Sequence, residues 1–279
     1  MGSTGKVVTG GTSTRRRTIT TSPNPNPIPT TPVNQGNTDV QNQVPNTDNT
    51  LVVSNALDKL TSMDDTQMAA VINAAKGVQM PNFLNDRQDR TQEFVFQIGL
   101  NELPQVLDST QFAQFMADNG LSQRDIMSRS VNSTTYTNND GTRVSLSGDQ
   151  INEIIRSSYL NYIGGKQGGQ MIGAGTYFEV NGGSNTGYGG TTMNAVLNPN
   201  TAKVIELGTL QTRAQSWARS HPQAARAIGS FSTGRNGTAS IYALCMGYNV
   251  ITDTASRARG LSNGTYVNVI DRSAMVIRK

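Results

Sequence analysis

The chain has one cysteine, Cys245, and one histidine, His221, among its 279 residues. A lone cysteine excludes an intramolecular disulfide. It lies in the apolar run Ile241-Tyr242-Ala243-Leu244-Cys245-Met246, where a thiol is expected to be buried and inert. The single histidine precedes Pro222 in a polar, loop-like stretch. It argues against a His-rich metal site and against a Ser-His-Asp or Cys-His engine, so no metal is expected. Long apolar runs are also missing. Nothing approaches the ~18 apolar residues of a membrane span, and no charged start leads into an apolar stretch. A soluble protein without a Sec-type signal and without a membrane partner is expected. Hydrophobic residues make up only 35%, below the share of a fully globular chain, so part of the length is expected not to fold.

Residues 1–50 account for that deficit. They are built from Thr, Asn, Pro, Gly and Ser, as in Ser22-Pro23-Asn24-Pro25-Asn26-Pro27. Such a segment cannot bury enough surface to offset the entropy of ordering it. A disordered arm is expected there, extended where Pro and Asn alternate. The net charge is +4, and three cations stand together at Arg15-Arg16-Arg17. Either the arm is merely soluble and slightly basic, or it touches nucleic acid or another anionic surface.

Order is expected from Leu51. Apolar residues at helical spacing predict helices over 55–76, 87–99 and 109–119, the last with Asp108 and Ser109 as capping candidates. Within the first, Ser62 and Asp65 can mark a restart. Residues 126–131 read as a first strand and 147–162 as a helix carrying Ile151, Ile154, Ile155 and Tyr159. Strand-like runs follow at 192–197 and 202–207, helices at 211–219 and 239–247, and final strands at 249–251 and 266–277. Helices first and then short strands interleaved with helices make an α+β plan.

The informative segment is Gly168-Gly169-Gln170-Met171-Ile172-Gly173-Ala174-Gly175-Thr176-Tyr177-Phe178, followed by Gly182-Gly183-Ser184-Asn185-Thr186-Gly187-Tyr188-Gly189-Gly190. The glycines allow positive φ and a close approach to a ligand. No Rossmann helix follows the Gly-x-Gly, so that dinucleotide fingerprint is unsupported. Tyr177 and Tyr188 stand eleven residues apart. An aromatic face can stack on a flat heterocycle, and a second can close the other side.

Met171 to Phe178, with Tyr188 downstream, resembles the M-F-G-x-G-I-Y-F … Y stretch of the ADP-ribosyltransferase family, in its diphtheria-toxin-like and poly(ADP-ribose) polymerase branch. Flanking pieces are similar to the ADP-ribosyltransferase-like domains of phage minor head proteins. Ile126 to Val131 looks like their first strand, Ser240 to Ile251 like their A-x-x-G-Y-D-x-I helix and strand, and Tyr266 to Ile277 like their closing Y-x-V-x-N-R-S-A-x-x-I strand. The resemblance covers roughly residues 90–279.

The fold it implies is a split antiparallel β-sheet core over 121–279, led by a helical subdomain over 51–120 and the disordered arm. The function it implies is a phage-encoded, toxin-like mono-ADP-ribosyltransferase. Such an enzyme cleaves the nicotinamide–ribose bond of NAD and transfers ADP-ribose to a host protein, with nucleic acid as another acceptor. The alternative is a catalytically degenerate virion protein with the same fold, and a third reading is a nucleic-acid module led by the arm. The chain would then work in the virion or the host cytoplasm, beside other virion components. Arg129 would anchor NAD, Tyr177 and Tyr188 would hold the nicotinamide, and Gly173, Gly175 and Asn185 would line the dinucleotide. Family members carry a late-strand glutamate; here Gly264 and Thr265 precede Tyr266. Asp271 is the candidate carboxylate, Asn268 a polar substitute and Glu179 a poorer choice. Read without the resemblance, Arg129 is a surface charge, Tyr177-Phe178 is strand core and Asp271-Arg272 is a strand-end ion pair. Ser232-Thr233 is read as a loop.

Overall fold

A computed structural model describes residues 56–76, 91–100, 102–137, 143–157, 172–173, 175–180, 190–230, 237–254 and 265–279. All belong to one compact unit, Pro45–Lys279. The predicted arm, Tyr188, Asn185 and Ser232-Thr233 lie outside the described residues.

Eight strands form one sheet: β1 (Gln105–Leu107), β2 (Met127–Val131), β5 (Thr176–Val180), β6 (Thr191–Leu197), β7 (Val204–Glu206), β8 (Val250–Asp253), β9 (Thr265–Val269) and β10 (Met275–Arg278). Their order is β1-β10-β6-β2-β5-β9-β8-β7. The six inner strands run antiparallel, but β1 pairs parallel with β10 and β7 parallel with β8. The protein is therefore mixed α/β with a mixed sheet, and the expectation of a purely antiparallel core is corrected at both edges. A separate hairpin joins β3 (Thr134–Thr137) to β4 (Arg143–Leu146).

The helices start where the sequence supplies caps. Residues 56–61 are helical, and α1 (Asp65–Ala75) restarts after a break. Its cap is Asp64, not Ser62: Asp64 accepts from Gln67 N at 2.8 Å while the Gln67 side chain returns to Asp64 N. The same reciprocal box, from Asp108 and Gln111, opens α3 (Ser109–Asp118), and Gly120 leaves that helix at φ +65°. Each box satisfies two of the N–H groups that a helix start orphans. The remaining helices are α2 (Thr91–Gln97), α4 (Gly148–Ser157), α5 (Leu207–Ser220), α6 (Pro222–Gly229) and α7 (Gly237–Cys245).

Helix α6 stands where a loop was expected. Pro222 occupies its first turn, but His221 gives it no side-chain cap. The cap comes from another helix: the Asp65 carboxylate of α1 accepts from Gln223 N at 3.0 Å and Ala224 N at 2.8 Å. A carboxylate at this end satisfies two orphan donors and faces the positive pole of the helix dipole. Asp65→Ala is expected to lower stability by about 1 kcal/mol, read as a lower urea midpoint at constant slope.

Alternation along the strands sorts the core into three clusters. Met127, Phe178, Met193, Ala195, Val267 and Val269 meet Ile151 and Ile155 of α4 on one face. On the other face, Val196 and Val276 pack under Phe112 and Met116 of α3. Ile251 and Ile270 pack under residues 57–75, α2, α5, α6 and α7. The helices over 51–120 are thus not a separate layer: α1 and α2 share a core with α5 to α7, whereas α3 covers the far side of the sheet.

Candidate functional site

The sheet forks at β2. Met127 pairs with Val180 and Ser128 with Glu179. Beyond that point β2 continues only with β6, through Arg129–Met193 to Val131–Thr191, while β5 continues with β9. Arg129 is buried at the fork, and its Nη1 donates to the Tyr177 carbonyl oxygen at 3.2 Å across the opening. A guanidinium presents its N–H groups in a fixed, planar fork.

Across the sheet beside this fork runs a row of polar side chains. Successive pairs place Asn194 beside Ser128, Ser128 beside Glu179, Glu179 beside Tyr266, and Tyr266 beside Asp253. Paired residues share a face, and adjacent strands lie ~4.8 Å apart, so the row spans roughly 19 Å. Ser128 Oγ donates to Asn194 Oδ1 at 2.8 Å, and Ser130 Oγ and Thr192 Oγ1 meet at 3.1 Å in the next row. Glu179 and Asp253 are buried carboxylates. The row runs between the α3 cluster and the helical layer over Ile251 and Ile270. The motif reading passed over Ser128, Asn194, Tyr266 and Asp253. Their signal is the period-two alternation of Thr192 and Asn194 with Met193 and Ala195 along β6.

Four of the predicted residues converge next to the fork. Gly173 and Gly175 have φ of +101° and +156°. A Cβ on Gly173 would lie 2.3 Å from Ser240 Oγ, and one on Gly175 would lie 2.1 Å from Asn268 Oδ1 and 2.6 Å from the Val269 carbonyl oxygen. Both conformation and space therefore demand glycine, and the close approach they permit is to β9 and α7. Asn268 is fully buried, and its amide nitrogen donates to the Ile172 carbonyl at 3.2 Å. The Tyr177 hydroxyl accepts from Ile172 N at 3.2 Å and donates to the Gly173 carbonyl. Its ring is half-buried against the helical core. Tyr177 and Asn268 together pin the chain at 172–173, directly beside the opening.

Asp271 is placed apart from this group. It is 0% exposed, beyond the end of β9. Its Oδ1 accepts from Ser273 N at 3.1 Å, and its Oδ2 accepts from Ser273 Oγ at 2.6 Å and Asn249 Nδ2 at 3.3 Å. Burial pushes its carboxyl above the ordinary range, against the pull of the Ser273 and Asn249 donors and of Arg272. These bonds turn the chain into a 3-10 turn, Arg272–Ala274. They divide the strand expected over 266–277 into β9 and β10.

Among the described residues no group of three His, Cys, Asp or Glu side chains is placed to hold a metal ion. No described helix is long and apolar enough to cross a membrane. Comparison of the chain with protein-family models, with curated proteins and with solved structures yields no match, so the chemistry of the fork has to be argued from its own residues.

Proposed function

We propose that the fork between β2 and β5 is the NAD site of an ADP-ribosyltransferase-type domain. The observation that carries this reading is the opening itself: Arg129, paired with Met193 on the α4 face, reaches across to the Tyr177 carbonyl, and a buried carboxylate, Glu179, stands at the last β2–β5 pair on the opposite face. Arg129 binds the diphosphate, because a guanidinium meets two phosphate oxygens in a fork. Tyr177 and the pinned segment at 172–173 orient the nicotinamide end. The C1′–N bond breaks with its electron pair leaving on nicotinamide, and positive charge develops on the ribose. An acceptor nucleophile adds at C1′ and loses its proton. Glu179 stabilises the cation; Asp271 is set aside because it stands beyond the end of β9, in the corner with Ser273 and Asn249 and apart from the fork. The acceptor in this reading is a host macromolecule, and the protein is phage-encoded.

One observation favours the second reading, a degenerate domain serving in a virion. The Tyr177 hydroxyl and the Asn268 amide are both engaged by the chain at 172–173, as in a structural clasp. The two readings part in one assay. The full chain is incubated with NAD labelled in the nicotinamide ring, and free nicotinamide is counted. Release above the solvent rate is expected, with NAD affinity about 30-fold weaker for Arg129→Met, as befits a lost charge-assisted bond pair. NAD binding without release would leave the virion reading. Equal NAD affinity of the two proteins would remove the site altogether.

A further inference from the structure

A cavity of about 370 Å³ lies in the helical layer, lined by residues that the NAD reading does not use. Its composition changes with depth. Met68 and Cys245 are buried at 1% and 2% exposure and form the floor. Trp217, Met246 and Tyr248 are half-buried walls, and Thr61 and Arg213 are exposed at the mouth. Burial pushes the Cys245 thiol well above its ordinary range, so the floor carries no charge.

The walls are braced. Helical spacing of four places Arg213 and Trp217 on one side of α5, and His221 follows as its C-cap. Trp217 stacks on His221 at 4.5 Å and 11°, and meets Tyr242 edge-on at 5.6 Å. Arg213 donates to the Tyr248 hydroxyl and sits 5.9 Å from that ring's centroid. Lys203, by contrast, has its Asp58 partner at 2.9 Å. Among the described residues no carboxylate pairs with Arg213 within ion-pair distance. Among these residues, then, the mouth holds an oriented cation with no carboxylate in ion-pair contact, above a polarisable apolar floor.

We propose that this cavity binds a small amphipathic monoanion, an aromatic or aliphatic body ending in one carboxylate. The body rests on Met68, Met246 and Cys245, which offer it dispersion contacts and almost no hydrogen bonds. The carboxylate meets the Arg213 fork; the Thr61 hydroxyl at the rim already donates to the Asp58 carbonyl. At the ~30 Å³ that a water molecule occupies in the liquid, the space accommodates about a dozen heavy atoms. A polyol would leave its hydroxyls unsatisfied on this floor.

Trp217 is the only tryptophan in the chain, so intrinsic fluorescence reports from the cavity wall. The full chain is titrated with 4-phenylbutyrate, and in parallel with 4-phenylbutylamine and 4-phenylbutanol, which keep the body and change the head. For a ligand of this size a saturable change with Kd near ~1 mM is expected for the acid. The amine and the alcohol are expected to bind about tenfold more weakly. Arg213→Gln, an exposed substitution, is expected to remove the preference for the acid while leaving the melting midpoint unchanged. Absence of saturation by the acid, equal affinity for the amine, or an unchanged preference in Arg213→Gln would each overturn the proposal. Should that variant melt early, Arg213→Lys replaces it, with a smaller loss of preference expected.

Discussion

Arg272→Met is expected to destabilise the fold by about 3–5 kcal/mol, the range for removing one member of a buried charged arrangement. Arg272 is among the largest fully buried side chains. Its Nη1 donates to the Ile155 carbonyl at 2.8 Å and the Ile154 carbonyl at 3.2 Å, in the last turn of α4. Helix ends leave such carbonyls without intrahelical donors, and the negative pole of the dipole sits there. The substitution strips both carbonyls and also removes the cation next to the buried Asp271. Burial already lowers the guanidinium's proton affinity, while Asp271 raises it. Arg272→Lys keeps the charge but loses the fork, so an intermediate loss is expected. Urea unfolding measures both. The double change Arg272→Met with Asp271→Asn is expected to recover part of the deficit, because neutralising Asp271 removes the stranded charge. A single-variant loss below ~1 kcal/mol would mean that the α4 carbonyls find other donors.

On the proposed NAD reading, Glu179→Gln is expected to slow nicotinamide release by about 10²- to 10³-fold, the usual consequence of removing a group aimed at charge developing in a transition state. NAD affinity is expected to stay within about threefold, since the amide keeps the shape and loses only the charge directed at the ribose cation. Single-turnover release with saturating NAD separates the two effects. Asp271→Asn is the comparison. It disturbs the corner with Ser273 and Asn249 and is expected to alter stability more than rate. If Asp271→Asn abolished turnover in a folded protein while Glu179→Gln did not, the assignment of the carboxylate would reverse.

Features set by neighbours in sequence were the legible ones. Helix α3 follows from Asp108, Gln111 and Gly120, all within a dozen residues of one another. Helix α6 was hidden because its cap is Asp65, on another helix. The run 266–277 is apolar enough to read as one strand. Its break depends on Asp271 turning back to Ser273 and on Ile270 N donating to the Asn249 carbonyl at 2.9 Å. Parallel pairing of the edge strands was invisible for the same reason, since β1 meets β10 only after the whole sheet is assembled. At the site, the sequence marks Gly173 and Gly175 as glycines that let the chain approach a ligand; the close neighbours they have are protein atoms, of Ser240 and Asn268, which were not legible. Arg129 was placed on the right strand, but the fork that gives it an opening is a matter of register between distant strands.

The bond from Gln223 to Asp65 spans 158 positions of chain. At about 5–20 residues per second of synthesis, α1 leaves the ribosome roughly 8–30 s before the helix it caps exists. Throughout that interval Met68, Ile72 and Ala75, buried in the finished protein, have no α6 to cover them. The nascent chain therefore passes through a sticky half-made state long enough for a holdase to engage it, and aggregation during expression should begin at this helix.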